Sequence, residues 1–491
     1  MEPLLSPENV READSSALAN GQRYDDLVDR AGRAVAWAAR RLLGGTYGRT
    51  VLVVAGPGSN GADGRLAAQQ LRSWGCVVHV IDLEDPSAVG AASLDRDWRG
   101  ADLVIDAMFG IGGSRPLDGV AADVATRTHA HPRPLVLAVD VPSGVDALTG
   151  TMYGVAVHAD ATVTFQANKT GLLFEPARSH AGAISVVDID IPIVAAVAQR
   201  IVRGDVEEWW QPRSADAHKW SAGAVLVVGG SPGMFGAPLL AARAAMHAGA
   251  GMVRAAMPTN SFERSGDGAE VIEVSAPATP HGLSSGAVMP IARAAQRMHA
   301  VVIGPGIGRD AEAADTTRTL IATLDHPLVV DADAINALAD DPSVLRVRAA
   351  ASLPPIVLTP HDGEYARLMG HPPGLDRIEA AKGAAVHHGA VVLLKGATTV
   401  VATPEGQAMV IDSGTSALAT AGTGDVLSGV IAALIAHGMS PNRAAAAGAW
   451  IHGTASVDIA VASDLLGPIA QLRRELDRTC ADAAATHPRH N

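Results

Sequence analysis

Thr420-Ala421-Gly422-Thr423-Gly424-Asp425-Val426-Leu427 sets a carboxylate beside a glycine-softened turn that opens an apolar run reaching Ile435. The first turn of a helix leaves backbone N–H groups unpaired and carries about half a positive charge, so bare amides at Gly422, Thr423 and Gly424 can meet a phosphate. Asp425 then stands where a base would take a proton from a hydroxyl while the amides stabilise the moving charge. The pattern predicts a phosphoryl-transfer site, kinase-like in its logic. Helix capping is the competing reading of an aspartate there, and the Gly-Thr-Gly ahead of it favours phosphate handling.

Working outward, short β-branched runs recur with alanine-rich stretches between them: Thr50–Ala55, Leu103–Asp106, Leu135–Asp140, Ala224–Val228, Ala300–Ile303, Leu328–Val330, Ile356–Leu358 and Val391–Leu394. Such alternation predicts α/β layers, buried parallel strands joined by crossover helices, with ligands gathering at the carboxyl ends of the strands. At 491 residues the chain exceeds one ordinary core. The strand series restarts near Ala224, and the polar stretch Asp205 to Ala222, with Trp209, Trp210 and Trp220, reads as the connection between domains at 1–210 and 211–491.

Composition excludes several classes. Apolar residues make up 48% of the chain and charged ones 18%, which argues against disorder. The 38 basic against 51 acidic residues leave a formal charge of −13 with no basic cluster, so nucleic acid is not an expected partner. Cys76 and Cys480 lie outside any metal-ligand spacing and suit a reducing compartment. Met1 to Glu8 has neither a basic segment nor a long apolar core, and no run approaches a membrane span. A cytoplasmic protein without membrane contact is the expectation.

Three loops of the first half end strands in Gly, Asp or Pro: Gly56-Pro57-Gly58-Ser59-Asn60-Gly61-Ala62-Asp63-Gly64, Asp106 to Gly110, and Asp140-Val141-Pro142-Ser143-Gly144. The first feeds a helix, as a dinucleotide-binding turn does or as a plain tight connection would. Asp106 and Asp140 place carboxylates where strands end, to serve chemistry or to bond turn amides. Oxygen groups of Asn60, Asp106 and Ser143 could surround a monovalent or weakly held cation, and zinc-type spacing is absent. With 106–116, 140–146 and Thr164 to Leu172, these loops resemble the NAD(P)H-hydrate epimerase family, the YjeF N-terminal domain, over about the first 200 residues. The resemblance implies a Rossmann-like three-layer sandwich that interconverts the R and S epimers of hydrated NADH or NADPH. It implies substrate contacts from Ser59, Asn60, Gly61, Ala62 and Asp63, from Gly110, Ile111, Gly112, Gly113, Ser114, Arg115 and Pro116, and from Asp140. It further implies K+ on Asn60, Asp106 and Ser143, with Asp140 the carboxylate that shuttles the proton. Ser59 and Ala62 stand where the family usually has Asn and Gly.

In the second half, Lys395-Gly396-Ala397-Thr398-Thr399 offers a cation, a flexible amide and two hydroxyls to a nucleotide phosphate chain, and Thr359-Pro360-His361 offers a histidine after a stiff turn. Gly233 to Pro238 opens an alanine-rich helix that a planar ligand, or only the sheet, can approach closely. Together with His218-Lys219, Gly229-Gly230-Ser231, Gly304 to Gly308, Asp331 to Ala334 and Ala421 to Asp425, this ordered set is similar to the ADP-dependent NAD(P)H-hydrate dehydratase family from about residue 212 to 465. The resemblance implies a ribokinase-like three-layer α/β/α domain. Ala237, Gly308, His361 and Asp425 would contact the hydrated coenzyme, with Gly306 as an added contact. Lys395, Gly396, Ala397, Thr398, Thr399 and Gly424 would hold ADP or ATP, accompanied by Mg2+. Asp331 and Asp333 read as strand-end supports.

The two halves together imply a bifunctional isomerase and lyase that repairs NADHX and NADPHX, giving AMP and phosphate from ADP. The rival is a ribokinase-like small-molecule kinase behind a non-catalytic dinucleotide-binding module. The alanine-rich helices are the candidate surface for a homo-oligomer.

Overall fold

A computed structural model describes residues 1–84, 91–214, 216–258 and 270–486. Its contacts divide the chain into two compact units, Glu2–Gln199 and, with Met1, the chain from Arg200 onward.

The first unit is built on six strands in the order Val77–Asp82, Thr50–Ala55, Leu103–Ala107, Leu135–Val139, Ala161–Phe165 and Ala183–Val187. Every neighbouring pair is parallel. Alternate side chains of one strand feed opposite cores: Val51 and Val53 join the helices Tyr24–Leu43 and Ser59–Ser73, while Leu52 and Val54 meet Leu94, Trp98 and Val124 on the other face. Covered on both faces, such a strand is apolar throughout. From Thr50–Ala55 the chain turns first to Val77–Asp82 on one side and then to Leu103–Ala107 on the other. That reversal opens a crevice beyond the carboxyl ends of the central strands, where the Gly56 and Asp106 loops lie.

The second unit orders its strands Ile272–Ala276, Met252–Pro258, Ala224–Val228, Ala300–Ile303, Leu328–Val330, Ile356–Leu358, Val391–Leu394, Thr399–Ala402 and Ala408–Ile411. The first seven are parallel and the last two add as an antiparallel hairpin. The helix Thr423–Ala436 is buried from Val426 to Ala436, as its unbroken apolar run requires. It packs so tightly on the helix Gly236–Ala248 that a Cβ at Gly429 would lie 2.0 Å from the Ala241 carbonyl oxygen. Here too the strand order reverses beside Ala224–Val228, and the Gly229 and Gly304 loops flank the resulting crevice.

The stretch from Asp205 is not the connection expected. Arg203–Trp209 is a helix, and Val206, Trp209 and Trp210 are buried in the second core. Large indoles bury too much apolar area to remain in a linker, so the division falls between Gln199 and Arg200, ahead of 210. Ala215 of that stretch lies outside the described residues. No described helix is long and apolar enough to cross a membrane.

Candidate active sites

The crevice of the first unit opens into a cavity of about 600 Å³. Ser59 and Asn60, on the first turn of the helix Ser59–Ser73, and Asp63, one turn further on, line it together with Gly110 to Gly113, Asp140 and Lys169. Gly61 instead packs on the preceding loop, where a Cβ would lie 1.8 Å from the Gly56 carbonyl oxygen, and the Ala62 amide donates to Gly58 O at 3.1 Å. Ser114, Arg115 and Pro116 follow in an exposed stretch outside the cavity lining.

Asp140 stands one residue past the strand Leu135–Val139 with φ +66°, a left-handed conformation uncommon for a residue with a side chain. Its amide donates to Val163 O at 2.7 Å, which holds the turn. The carboxylate accepts from Thr164 Oγ1 at 2.9 Å and pairs with Lys169 Nζ at 2.6 Å. Lys169, 1% exposed, also donates to Thr164 Oγ1 and Phe165 O. Its charge is committed to the aspartate. Asp63 is 6% exposed, and burial, then the charges of Asp140 and Asp14, push its carboxyl up to about 8. Asp14, with Arg11 from the same helix Pro7–Ala19, also lines the cavity, a contribution no motif announced.

Asp106 is fully buried. It accepts from the Ser143 amide at 2.8 Å, from Ser143 Oγ at 2.6 Å and from the Met108 amide at 3.2 Å. Burial still raises it to about 6 against those bonds. Ser143 Oγ lies 3.2 Å from Phe109 O. A Cβ at Gly110 would lie 3.1 Å from Asn60 Oδ1 and 3.3 Å from Asp140 Oδ2, so only glycine lets the loop pass between them, and Asn60 Nδ2 is buried without a partner. These hard oxygen donors fit a weakly held monovalent cation. Among the described residues no group of three or more His, Cys, Asp or Glu is placed to hold a metal.

In the second unit Gly422, at φ +93°, turns the chain into the helix Thr423–Ala436, with Asp425 in its first turn. The Thr423 amide is not bare as expected: it donates to Thr420 O at 3.3 Å. Among the described residues the amides of Gly424 and Asp425 have no protein acceptor. Facing them, Lys395 Nζ lies 2.9 Å from Asp331 Oδ1 and 3.6 Å from Glu364 Oε2, and a Cβ at Gly424 would lie 3.6 Å from that amine. Burial alone would lower the Lys395 pKa, but Asp331 and Glu364 outweigh it and hold the amine above its usual value. Asp425 is pushed up to about 7, chiefly by burial, with Asp331 adding and Lys395 opposing.

Gly396 and Ala397 are exposed at the tip between Val391–Leu394 and Thr399–Ala402, with Thr398 buried beneath them. Arg377 braces this tip, donating to Lys395 O at 2.7 Å while paired with Asp362 at 2.9 Å. Ala237 adjoins Gly306, whose Cβ, if present, would lie 3.4 Å from the alanine methyl. The Gly308 amide donates to Asp333 Oδ2 at 3.1 Å, and Asp333 raises the Asp425 pKa in turn. His361 caps the helix Asp362–Met369, its Nδ1 accepting from Gly363 N at 2.9 Å and Glu364 N at 3.3 Å. Capping ties up one ring nitrogen and leaves a half-exposed ring for a ligand. Sequence reasoning missed His452, buried beside the Thr423 backbone with Nε2 unpartnered and burial pulling it down to about 4. Its place in an alanine-rich helix carries no local signal.

Comparison with known proteins covers both units. The NAD(P)H-hydrate dehydratase family model matches residues 225–474, and the YjeF-related protein N-terminus model matches 24–99 and 84–171. The bifunctional NAD(P)H-hydrate repair enzyme of Moorella thermoacetica is 38% identical over 500 residues, 92% of each chain. That of Salinibacter ruber is 35% identical across 96% of each. A ribokinase-like superfamily protein from Enterococcus faecalis superposes on 58% of this chain and 98% of its own, at a TM-score of 0.50 and 21% identity, a likeness of fold.

Proposed function

The chain belongs to the bifunctional NAD(P)H-hydrate repair enzymes, and from that premise we propose how its two strand-end sites share the work. The first unit interconverts the R and S epimers of hydrated NADH and NADPH. The second dehydrates the S epimer at the expense of ADP or ATP and returns the reduced coenzyme.

In the second site the hydroxyl on C6 of the damaged ring is a poor leaving group until it carries a phosphoryl group. Asp425 takes the hydroxyl proton and the Gly424 and Asp425 amides with Lys395 steady the transferring phosphoryl, leaving AMP when ADP is the donor; phosphate then departs with the C6–O electron pair, a proton leaves C5, and the C5–C6 double bond of the reduced coenzyme forms. Lys395 to Thr399 and Gly424 hold the nucleotide, and the Mg2+ it carries would neutralise phosphate charge. Ala237, Gly306, Gly308 and His361 bound the coenzyme side. One observation carries this reading: a carboxyl poised near 7 in the same helix turn as two unclaimed amides, with a lysine opposite.

In the first site Asp140, ion-paired with Lys169, moves the proton during epimer exchange, and Ser59, Asn60, Asp63 and Gly110 to Gly113 grip the coenzyme. K+ on Asn60, Asp106 and Ser143 would supply positive charge beside the buried Asp106 carboxylate. A cytoplasmic location belongs to the same reading.

The test is product identity. Mixed R- and S-NADHX with ADP should give back the reduced-nicotinamide absorbance with AMP and free phosphate. A stable phosphorylated product would point to a small-molecule kinase instead.

A further inference from the structure

Three carboxyls reach the first cavity: Asp14, Asp63 and Asp140. They are not equivalent. Asp140 is tied to Lys169 Nζ at 2.6 Å and to Thr164 Oγ1 at 2.9 Å. Asp63, though only 6% exposed, makes no hydrogen bond or ion pair with any described side chain. A buried carboxyl without a partner is costly as an anion and is kept neutral unless something in the cavity meets it. Asp63 lies one turn along its helix from Asn60, whose Oδ1 faces Asp140 Oδ2 across Gly110, so the free acid and the paired carboxylate line one hollow.

On the epimerase reading of this unit, we propose that Asp63 is a second catalytic residue, the proton donor that works with Asp140 as acceptor in epimer exchange. The epimers differ at C6, which bears the hydroxyl and is bonded to the ring nitrogen. Asp63 gives its proton to that hydroxyl, the C6–O bond breaks with its electron pair on oxygen, and the nitrogen lone pair forms the C6–N double bond as water leaves. Water then adds to the opposite face, the double-bond pair returns to nitrogen, and Asp140 takes the proton of the incoming water. One C–O bond is broken and one made, and no oxidant or reductant enters. One proton has passed from Asp63 to Asp140 and returns through solvent, so exchange runs in both directions with the two roles reversed. Opposite protonation states in one site are what such an acid and base require. The titratable groups that line the cavity with Asp63 are Asp14 and Arg11 from the helix Pro7–Ala19, Tyr24 from the next helix, Asp140 and Lys169; of these, Asp14 and Asp140 favour its neutral form.

The experiment follows the exchange of R- and S-NADHX by the full chain in water enriched in heavy oxygen, for wild type, Asp63→Asn and Asp63→Glu. Wild type should place one solvent oxygen on C6 per exchange and lose rate as alkaline pH ionises Asp63. Asp63→Asn should cut the enzymatic rate about a hundredfold with KM changed less than about threefold, melt no lower than wild type and lose the alkaline fall, while Asp63→Glu recovers part of the rate. Near-full activity of Asp63→Asn, or a change in KM alone, overturns the acid role, and exchange without solvent oxygen overturns the chemistry. A wild type that exchanges no epimers refutes the epimerase reading itself.

Discussion

Lys169 Nζ lies 2.6 Å from Asp140 Oδ1, and Thr164 Oγ1 bridges the two, accepting from the lysine and donating to the carboxylate. The lysine is 1% exposed, so its ammonium is shut away from solvent and Asp140 is the charge it pairs with. Lys169→Met should therefore cost about 3–5 kcal/mol in denaturant unfolding, since it leaves Asp140 charged and alone in the interior. It should also slow epimer exchange by about a hundredfold, because the carboxylate that moves the proton loses the ammonium that holds it in place. Adding Asp140→Asn to Lys169→Met should restore stability and not activity. A double variant as unstable as the single would show that the pair is not what the fold depends on.

Asp425 makes a prediction about pH. A base must be ionised to act, and burial has moved this one up to about 7. Dehydration should fall close to tenfold per unit below about pH 7 and level off above it. Asp425→Asn should lower kcat by about a hundredfold or more and flatten the acidic limb, with the first unit's epimer exchange unchanged. A variant that folds normally and keeps near-full dehydration would remove Asp425 from the mechanism.

The strands that position both sites were legible where burial is complete. Thr50–Ala55 and Ala224–Val228 are apolar on both faces, and their sequences say so. Val77–Asp82 and Ile272–Ala276 lie at sheet edges and are exposed or half-buried over most of their length, so neither is marked out as a fully buried strand. Thr399–Ala402 and Ala408–Ile411 are not legible, because Lys395 to Thr399 has the composition of a phosphate grip and the hairpin it leads into is short. Loop chemistry was readable residue by residue: Gly422, Asp425, Asp106 and Asp140 are all at strand or helix ends. Pairings across long separations were not. Nothing local in Lys169, Arg377 or His452 says that each braces a loop far away in sequence, and the two tryptophans near 210 look the same in a linker as in a core.

Lys395 should matter twice. Its amine lies beside Gly424 and pairs with Asp331 and Glu364, and it lowers the cost of charge on Asp425. Lys395→Met should weaken nucleotide binding by about tenfold, the loss of one charge-assisted phosphate contact. It should also move the acidic limb of dehydration to higher pH, because Asp425 keeps its carboxylate neighbours and loses the opposing charge. Titration calorimetry with ADP and a pH–rate profile read the two effects separately. An unshifted limb would mean that Lys395 serves the nucleotide alone.

The second unit's stability should carry a histidine signature. His388, at the end of the helix Arg377–His388, is buried with Nε2 unpartnered, and burial, then His387 and Arg346, pull it down to about 4 from 6.5. A folded pKa below the unfolded one means that the unfolded chain gains the proton first as pH falls. The stability this neutral ring permits is complete above about 6.5, erodes from there to about 4 and is level below that. Over that span the loss is on the order of 2–3 kcal/mol. Asp63, raised to about 8, slopes the other way, losing stability as pH rises from 3.8 to about 8, so wild-type curves alone would blur the effect. His388→Leu isolates it: relative to wild type, the variant should gain about 2–3 kcal/mol between urea unfolding at pH 7 and at pH 4. If the wild-type and variant stabilities instead run parallel over that interval, the imidazole takes up its proton in the folded protein as readily as in the unfolded chain.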